Sequence, residues 1–290
     1  MTYVCLHNGD FPARGWPAVT DDWLRATARP VKLAQIDTSV PNVARVWNYL
    51  VGGRDNFDAD RKAARQLVAV APVMGDVAHA SRAFLRRVVT YLAGEAGIRQ
   101  FLDIGTGIPT AGNTHEIAQS VAPECKIVYV DNDPVVLVHA RALLRSSPEG
   151  VTSYIDADAR EPGKIIAGAG ETLDFDEPVA IVMIDVLNFI EGTSAVGEIL
   201  RTLLDAVPSG SFLALMQPAV DEGLLVAQRR WNQLSPVPVW LRDRDEVAGW
   251  LGGLDPVEPG IVDVDQWRPA EGDPEYPDGM PLYGVVARKP

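Results

Sequence analysis

Four short acidic clusters carry the candidate chemistry of this chain, and each follows an apolar run of strand length. In Phe101-Leu102-Asp103-Ile104-Gly105-Thr106-Gly107, a carboxylate stands two residues before the first of two glycines. The glycines let the backbone turn sharply and approach a ligand with no Cβ in the way. A dinucleotide fingerprint requires glycine at the first, third and sixth positions of such a turn. Here the sixth is Thr110. Asp103 would repel a diphosphate and attract an ammonium group. The second cluster is Val130-Asp131-Asn132-Asp133-Pro134. A carboxylate placed like Asp131 can accept both hydroxyls of a ribose, whereas Asp133, just before proline, suits the N-cap of the next helix. The third, Ile155-Asp156-Ala157-Asp158, offers a carboxylate to an adenine amino group, with Ala157 leaving room for the ring. Spacing does not choose between Asp156 and Asp158.

An ammonium, a ribose and an adenine together describe S-adenosylmethionine (SAM) better than a nicotinamide dinucleotide. The fourth cluster is Ile184-Asp185-Val186-Leu187-Asn188-Phe189-Ile190-Glu191, at the strand end that lies beside the reacting group in open parallel sheets. Methyl transfer from a sulfonium asks mainly for alignment, which contributes up to roughly 7–11 kcal/mol. A base is needed only where the acceptor must lose a proton. Asp185 is the candidate base, with Tyr49 and Asn188 as orienting groups. His79, His115 and His139 read as structural or exposed.

These clusters need a scaffold that brings strand ends together, and the patterning supplies one. Strands are expected over 99–104, 126–130, 152–155, 179–184 and 212–216, alternating with helices over 113–121, 134–145, 161–169 and 194–206. That alternation demands a mainly parallel sheet with helices on both faces. A helix over 222–234 follows, and a strand over 282–288 is expected to pair with one near 257–262. Ahead of the first strand, Val43, Val46, Trp47, Leu50 and Val51 fall at helical spacing between Pro41 and Gly52-Gly53. Its other face carries Asn42, Arg45, Asn48 and Tyr49. Two more helices are expected over 59–70 and 77–92. Residues 269–281, rich in Pro, Asp and Gly, read as an exposed loop.

The chain has 26 basic and 39 acidic residues, a net charge of −13, which disfavours a phosphate-backbone partner. Arg82, Arg86 and Arg87 form the densest basic cluster and read as a solvated helix face. Only two cysteines, Cys5 and Cys125, are present, so neither a disulfide framework nor a zinc site is indicated. No apolar run is long enough to span a membrane and no secretion signal opens the sequence, so a cytoplasmic protein without membrane partners is expected.

Four segments resemble an actinobacterial family of SAM-dependent methyltransferases long catalogued as a domain of unknown function: Pro41–Phe57 (PNVARVWNYLVGGRDNF), Phe101–Asn113 (FLDIGTGIPTAGN), Val128–Leu137 (VYVDNDPVVL) and Pro281–Pro290 (PLYGVVARKP). The resemblance runs from about Ile36 onward. It implies the class I Rossmann-like α/β fold: a mainly parallel seven-stranded sheet with an antiparallel C-terminal strand and an N-terminal helical cap. The implied division is an arm over 1–35, a helical segment over the substrate pocket at 36–97, and a SAM-binding domain at 98–290. Carried over by motif, Asp103, Gly105, Thr106 and Gly107 meet the methionine end of SAM, and Asp131 and Asn132 the ribose and adenine region. Asp156, Ala157 and Asp158 meet the adenine. Asn48 and Gly53 belong to a segment closing over the cofactor, and Arg82 meets its carboxylate.

Two departures stand out. The family usually has an apolar residue where Asp185 stands and a histidine where Asn188 stands, and Met216–Glu222 (MQPAVDE) lacks its usual Ser-His pair. The expectation is therefore a transferase with a retained SAM site, S-adenosylhomocysteine as product, and a diverged small-molecule acceptor, in natural-product metabolism. The alternatives are a SAM-binding module without methyl transfer, or a SAM enzyme of another reaction type.

Overall fold

The computed structural model describes residues 37–290 except 110–111, 144–145, 274 and 277–278. The arm at 1–35, Thr110 and the side chain of His139 lie outside the described residues. Residues 36–290 form one compact unit.

The described chain opens with three helices, α1 (Val43–Leu50), α2 (Asp58–Val70) and α3 (Met74–Gly94). Asn42 caps α1 through its side chain, which accepts from the Arg45 amide at 3.3 Å. Asp60 then ties α1 to α2. Its buried carboxylate faces the Arg45 Nε at 3.2 Å and accepts from the Asn42 and Phe57 amides at 2.9 and 2.8 Å. Arg45 also donates to the Asp37 and Val40 carbonyls.

The alternating region follows the expected order: β1 (Gln100–Ile104), α4 (Thr114–Val121), β2 (Lys126–Asp131), α5 (Pro134–Leu143), β3 (Val151–Asp156), α6 (Pro162–Ala169), β4 (Ala180–Ile184), α7 (Thr193–Asp205) and β5 (Phe212–Pro218). Helices α8 (Glu222–Leu234) and α9 (Arg244–Trp250) precede the short strands β6 (Asp255–Pro256) and β7 (Val262–Asp263), and β8 (Leu282–Arg288) follows. Among the described residues, the eight strands run in the order β3-β2-β1-β4-β5-β8-β6, with β7 also on β8. Strands β1 to β5 are parallel, and β8 is antiparallel to β5. The expected strand near 257–262 is thus two two-residue strands flanking that interval, both paired with β8.

Every residue of β1 and β5 is buried, as parallel strands covered on both faces require. One core layer holds Phe84, Val88 and Leu92 of α3 with Phe101, Tyr129 and Trp267. The other holds Leu102, Ile104, Ile181 and Leu213 with Val196, Leu200 and Leu203 of α7. A third cluster joins Val46, Ala64 and Leu67 of α1 and α2 to Ala227 and Trp231 of α8.

Two surface expectations are corrected. Arg82, Arg86 and Arg87 are not one solvated face. Arg86 is exposed, Arg82 is half-buried, and Arg87 is buried with its guanidinium on the Val264 and Trp267 carbonyls and on Asp273. Nor is 269–281 wholly exposed, because Asp273 is drawn inward by Arg86 and Arg87 and Met280 is buried. The carbonyls of a passing loop give an arginine an interior partner that helical spacing alone does not reveal.

Candidate functional site

The carboxyl ends of β1, β2, β3 and β4 open on one cavity of about 260 Å³, roofed by α1 and α3. Asp103, Gly105, Thr106, Gly107, Asp131, Asn132, Ala157, Asp158, Asn48, Arg82, Asp185 and Asn188 all line it. Three sequence candidates do not. Asp156 is exposed at the end of the edge strand β3, one residue short of the turn that brings Ala157 and Asp158 round. Tyr49 packs against the α1–α2–α8 cluster, since one residue along a helix turns the side chain away from the face that presents Asn48. Gly53 lies behind Asn48, and a Cβ there would meet the Asn48 amide at 2.3 Å. Its place is to leave room for Asn48, whose Oδ1 accepts from the Asp55 amide at 3.0 Å and from Asn56 at 2.9 Å.

Asp103 is buried below the glycine turn. Its Oδ2 accepts from the Thr114 hydroxyl at 2.5 Å. Burial pushes its pKa up to about 6, against the Thr114 hydrogen bond and the nearby Arg82. Gly105, at φ +80°, has the Val186 side chain where a Cβ would stand, 2.5 Å away, so the turn after β1 packs directly on the turn after β4. Arg82 donates to the Gly112 carbonyl at 2.7 Å.

Asp131, ending β2, accepts from the Gly107 amide at Oδ2 and from the Asp133 amide at Oδ1, both at 2.9 Å. Those bonds fix its plane across the glycine turn. Burial outweighs them and raises its pKa to about 6. Asp133 accepts from the Val135 amide at 2.7 Å, as a residue capping α5 does. Asp158 is held by Arg160 at 2.6 and 2.8 Å and by the Asn132 amide at 3.0 Å, and the Arg160 hydrogen bonds lower its pKa to about 2.

Asp185 follows β4 with φ +57°, a left-handed conformation that costs a non-glycine residue on the order of 1–2 kcal/mol. Its Oδ2 accepts from the Ser81 hydroxyl of α3 at 2.7 Å. Burial raises its pKa to about 7, opposed by that hydrogen bond. Asn188, on the short 3-10 turn Leu187–Phe189, is buried, and its Oδ1 has no donor among the described residues. Asp185 and Asn188 also wall a second, apolar cavity between α1 and α8. Among the described histidines, His79 is exposed, and His115 is buried with its ring nitrogen 2.9 Å from the Tyr129 hydroxyl. Ser81 escaped sequence reading because its partner lies 104 residues away. Trp47 did not, but its apolar spacing read as core, whereas it lines both cavities.

The donor set tests which ligand fits. Five carboxylates at the strand ends, Asp103, Asp131, Asp133, Asp158 and Asp185, line the first cavity, against two arginines, Arg82 and Arg160. Such a surface suits an ammonium, a diol and an exocyclic amine, and disfavours a diphosphate. SAM fits it. Among the described residues, no group of three or more His, Cys, Asp or Glu side chains is placed to hold a metal, and no helix is long and apolar enough to cross a membrane.

Comparison with known proteins agrees with this chemistry. Residues 30–290 match the family described as S-adenosyl methyltransferase. A DUF574 family protein from Streptomyces avermitilis is 41% identical, with a TM-score of 0.84 over 88% of this chain and 99% of that one. A second solved protein, from Thermobifida fusca, is 36% identical, with a TM-score of 0.80 over 91% and 99%. The magnesium protoporphyrin IX methyltransferase of Synechocystis, solved with S-adenosylhomocysteine, is 13% identical with a TM-score of 0.50 over 80% and 95%, a likeness of fold alone. No protein of curated function matches the chain. The chain belongs to the S-adenosyl methyltransferase family, and it is an α/β enzyme that takes SAM as its methyl donor.

Proposed function

We propose that the acceptor is a small molecule and that Asp185 serves as the base that receives its proton. The observation that supports this most is the position of Asp185: it walls the strand-end cavity and the apolar cavity beside it, with a pKa near 7. A carboxylate with that pKa suits general-base work at neutral pH. Asn188, with its free Oδ1, orients the nucleophile.

In this reading Asp103 and Arg82 hold the ammonium and carboxylate of the methionine end, Asp131 takes the ribose hydroxyls, and Asp158 and Ala157 border the adenine. Bound SAM supplies an electrophilic methyl on a sulfonium. The helices α1 to α3 act as a cap that excludes water and limits the acceptor to a small molecule rather than a protein or nucleic-acid surface. A cytoplasmic setting and natural-product metabolism are the context we infer for the acceptor.

Calorimetric titration with S-adenosylhomocysteine and NAD, on wild type and Asp131→Ala, tests the cofactor assignment. Micromolar S-adenosylhomocysteine binding that the variant loses is expected. Preferential NAD binding, or undiminished binding by the variant, overturns the assignment.

A further inference from the structure

The second cavity bears on which molecule is methylated. It lies between α1, α2, α3 and α8 and is lined by eighteen described residues, among which Asp185 is the only ionisable one. Its remaining polar groups are mostly spent on the protein. The Gln228 amide donates to the Val239 carbonyl at 2.8 Å, and the Trp231 indole to the Val237 carbonyl at 2.7 Å. Val46, Leu67, Val77 and Leu224 supply buried apolar wall. A charged body placed here would lose its hydration and find a partner only at Asp185, on the wall shared with the first cavity. At the boundary with the cofactor cavity the chemistry changes. Asp185 and Asn188 belong to both cavities, and the Asn188 Oδ1, in a residue 5% exposed, has no donor among the described residues. An unfilled buried acceptor favours a ligand that brings an N–H or O–H to it, and penalises one that does not.

Building on the methyltransferase reading of the first cavity, we propose that the acceptor is an uncharged, largely apolar molecule with a single N–H or O–H nucleophile, its body in the second cavity and its nucleophile at the Asp185–Asn188 wall. The volume of about 80 Å³ suits a single ring or a short branched chain. In the reaction, the lone pair on the acceptor nitrogen or oxygen forms the new bond to the methyl carbon. The carbon–sulfur bond breaks, its electrons stay on sulfur, and the displaced proton passes to Asp185.

Four probes of one shape test this on protein saturated with S-adenosylhomocysteine: 4-methylphenol, 4-methylaniline, 1,4-dimethylbenzene and 4-methylbenzoate. The phenol or the aniline is expected to bind at least tenfold more tightly than the hydrocarbon and the benzoate, and the better of the two tells oxygen from nitrogen acceptors. Ala227→Trp, which fills the apolar cavity from α8, is expected to abolish that binding while S-adenosylhomocysteine affinity stays within twofold. Where that variant fails to fold, Val239→Phe at the half-buried rim replaces it. The proposal is overturned if the benzoate binds best, if no probe binds the loaded protein, or if filling the cavity changes nothing. Failure of S-adenosylhomocysteine itself to bind is a different result, which removes the cofactor assignment on which the proposal rests.

Discussion

The Ser81 hydroxyl of α3 donates to the Asp185 carboxylate beyond β4 at 2.7 Å, joining the helical cap to the strand end where the base is assigned. Because this bond favours the charged carboxylate, it holds the Asp185 pKa below where burial alone would set it. If Asp185 takes the acceptor proton, turnover falls as the pH drops below about 7. Asp185→Asn should lower kcat by roughly 10²–10⁴-fold and leave S-adenosylhomocysteine affinity nearly unchanged. Ser81→Ala should move the acidic limb of the kcat profile to higher pH, with activity recovering in alkaline buffer. A loss independent of pH would show that Ser81 only packs the helix.

Stability of the ligand-free protein gives a second test. Asp103, Asp131 and Asp185 all have folded-state pKa values raised above the ordinary 3.8, to about 6, 6 and 7. Such a carboxyl contributes its full stability only below the unfolded value, because above it the unfolded chain ionises first, and the loss is complete once the pH passes the folded value. The melting temperature should therefore decline from about pH 4 to about pH 7 and level off above that. Asp185→Asn, which cannot ionise, should melt above wild type at pH 8, with the gap narrowing through pH 5 and closing near pH 4. A constant gap across that range would show that Asp185 does not titrate there.

Cofactor affinity should follow the same groups. In the proposed placement SAM brings an ammonium and a diol to Asp103 and Asp131, so binding should weaken between pH 7 and pH 5 as those carboxylates protonate. Each charge-assisted hydrogen bond is worth about 1.5–3 kcal/mol, so Asp131→Ala should weaken S-adenosylhomocysteine by ~10- to 100-fold or more. Calorimetry at three pH values measures both effects, and a flat profile would show that neither carboxylate contacts the ligand.

The Arg45–Asp60 pair predicts a purely structural loss. Asp60→Ala leaves a buried guanidinium without its counter-charge and leaves the Asn42 and Phe57 amides without their acceptor. Breaking such a pair costs about 3–5 kcal/mol, and a urea transition shifted by less than about 1 kcal/mol would show that α1 does not depend on it.

The sheet and its glycine turn were legible because parallel strands covered on both faces need unbroken apolar runs, and the first four of those runs ended at or beside an acid. Asp103 and Asp131 could therefore be located before their contacts were known. Side-chain direction in the cap was harder to read. Asn48 and Tyr49 are neighbours on one helix, yet one faces the cofactor cavity and the other the α1–α8 packing. Asp156 and Asp158 were equivalent by spacing and are separated only by the turn after β3. Helix α9 did carry a signal that went unread: Asp243 and Glu246 cap each other's amides, an Asp-x-x-Glu box before the buried Val247 and Trp250. Ser81 and the second cavity left no such trace, because both arise from contacts between distant segments.

The place of β8 has a consequence for synthesis. The strand is the last of the sheet in chain order but sits inside it, between β5 on one side and β6 and β7 on the other, with Gly284 tight against the Phe84 ring. While a ribosome has yet to pass Arg288, β5 presents a bare, apolar hydrogen-bonding edge, the kind that pairs with another chain. A nascent or truncated product stopping before Leu282 would carry all the assigned ligand residues and still be a template for aggregation.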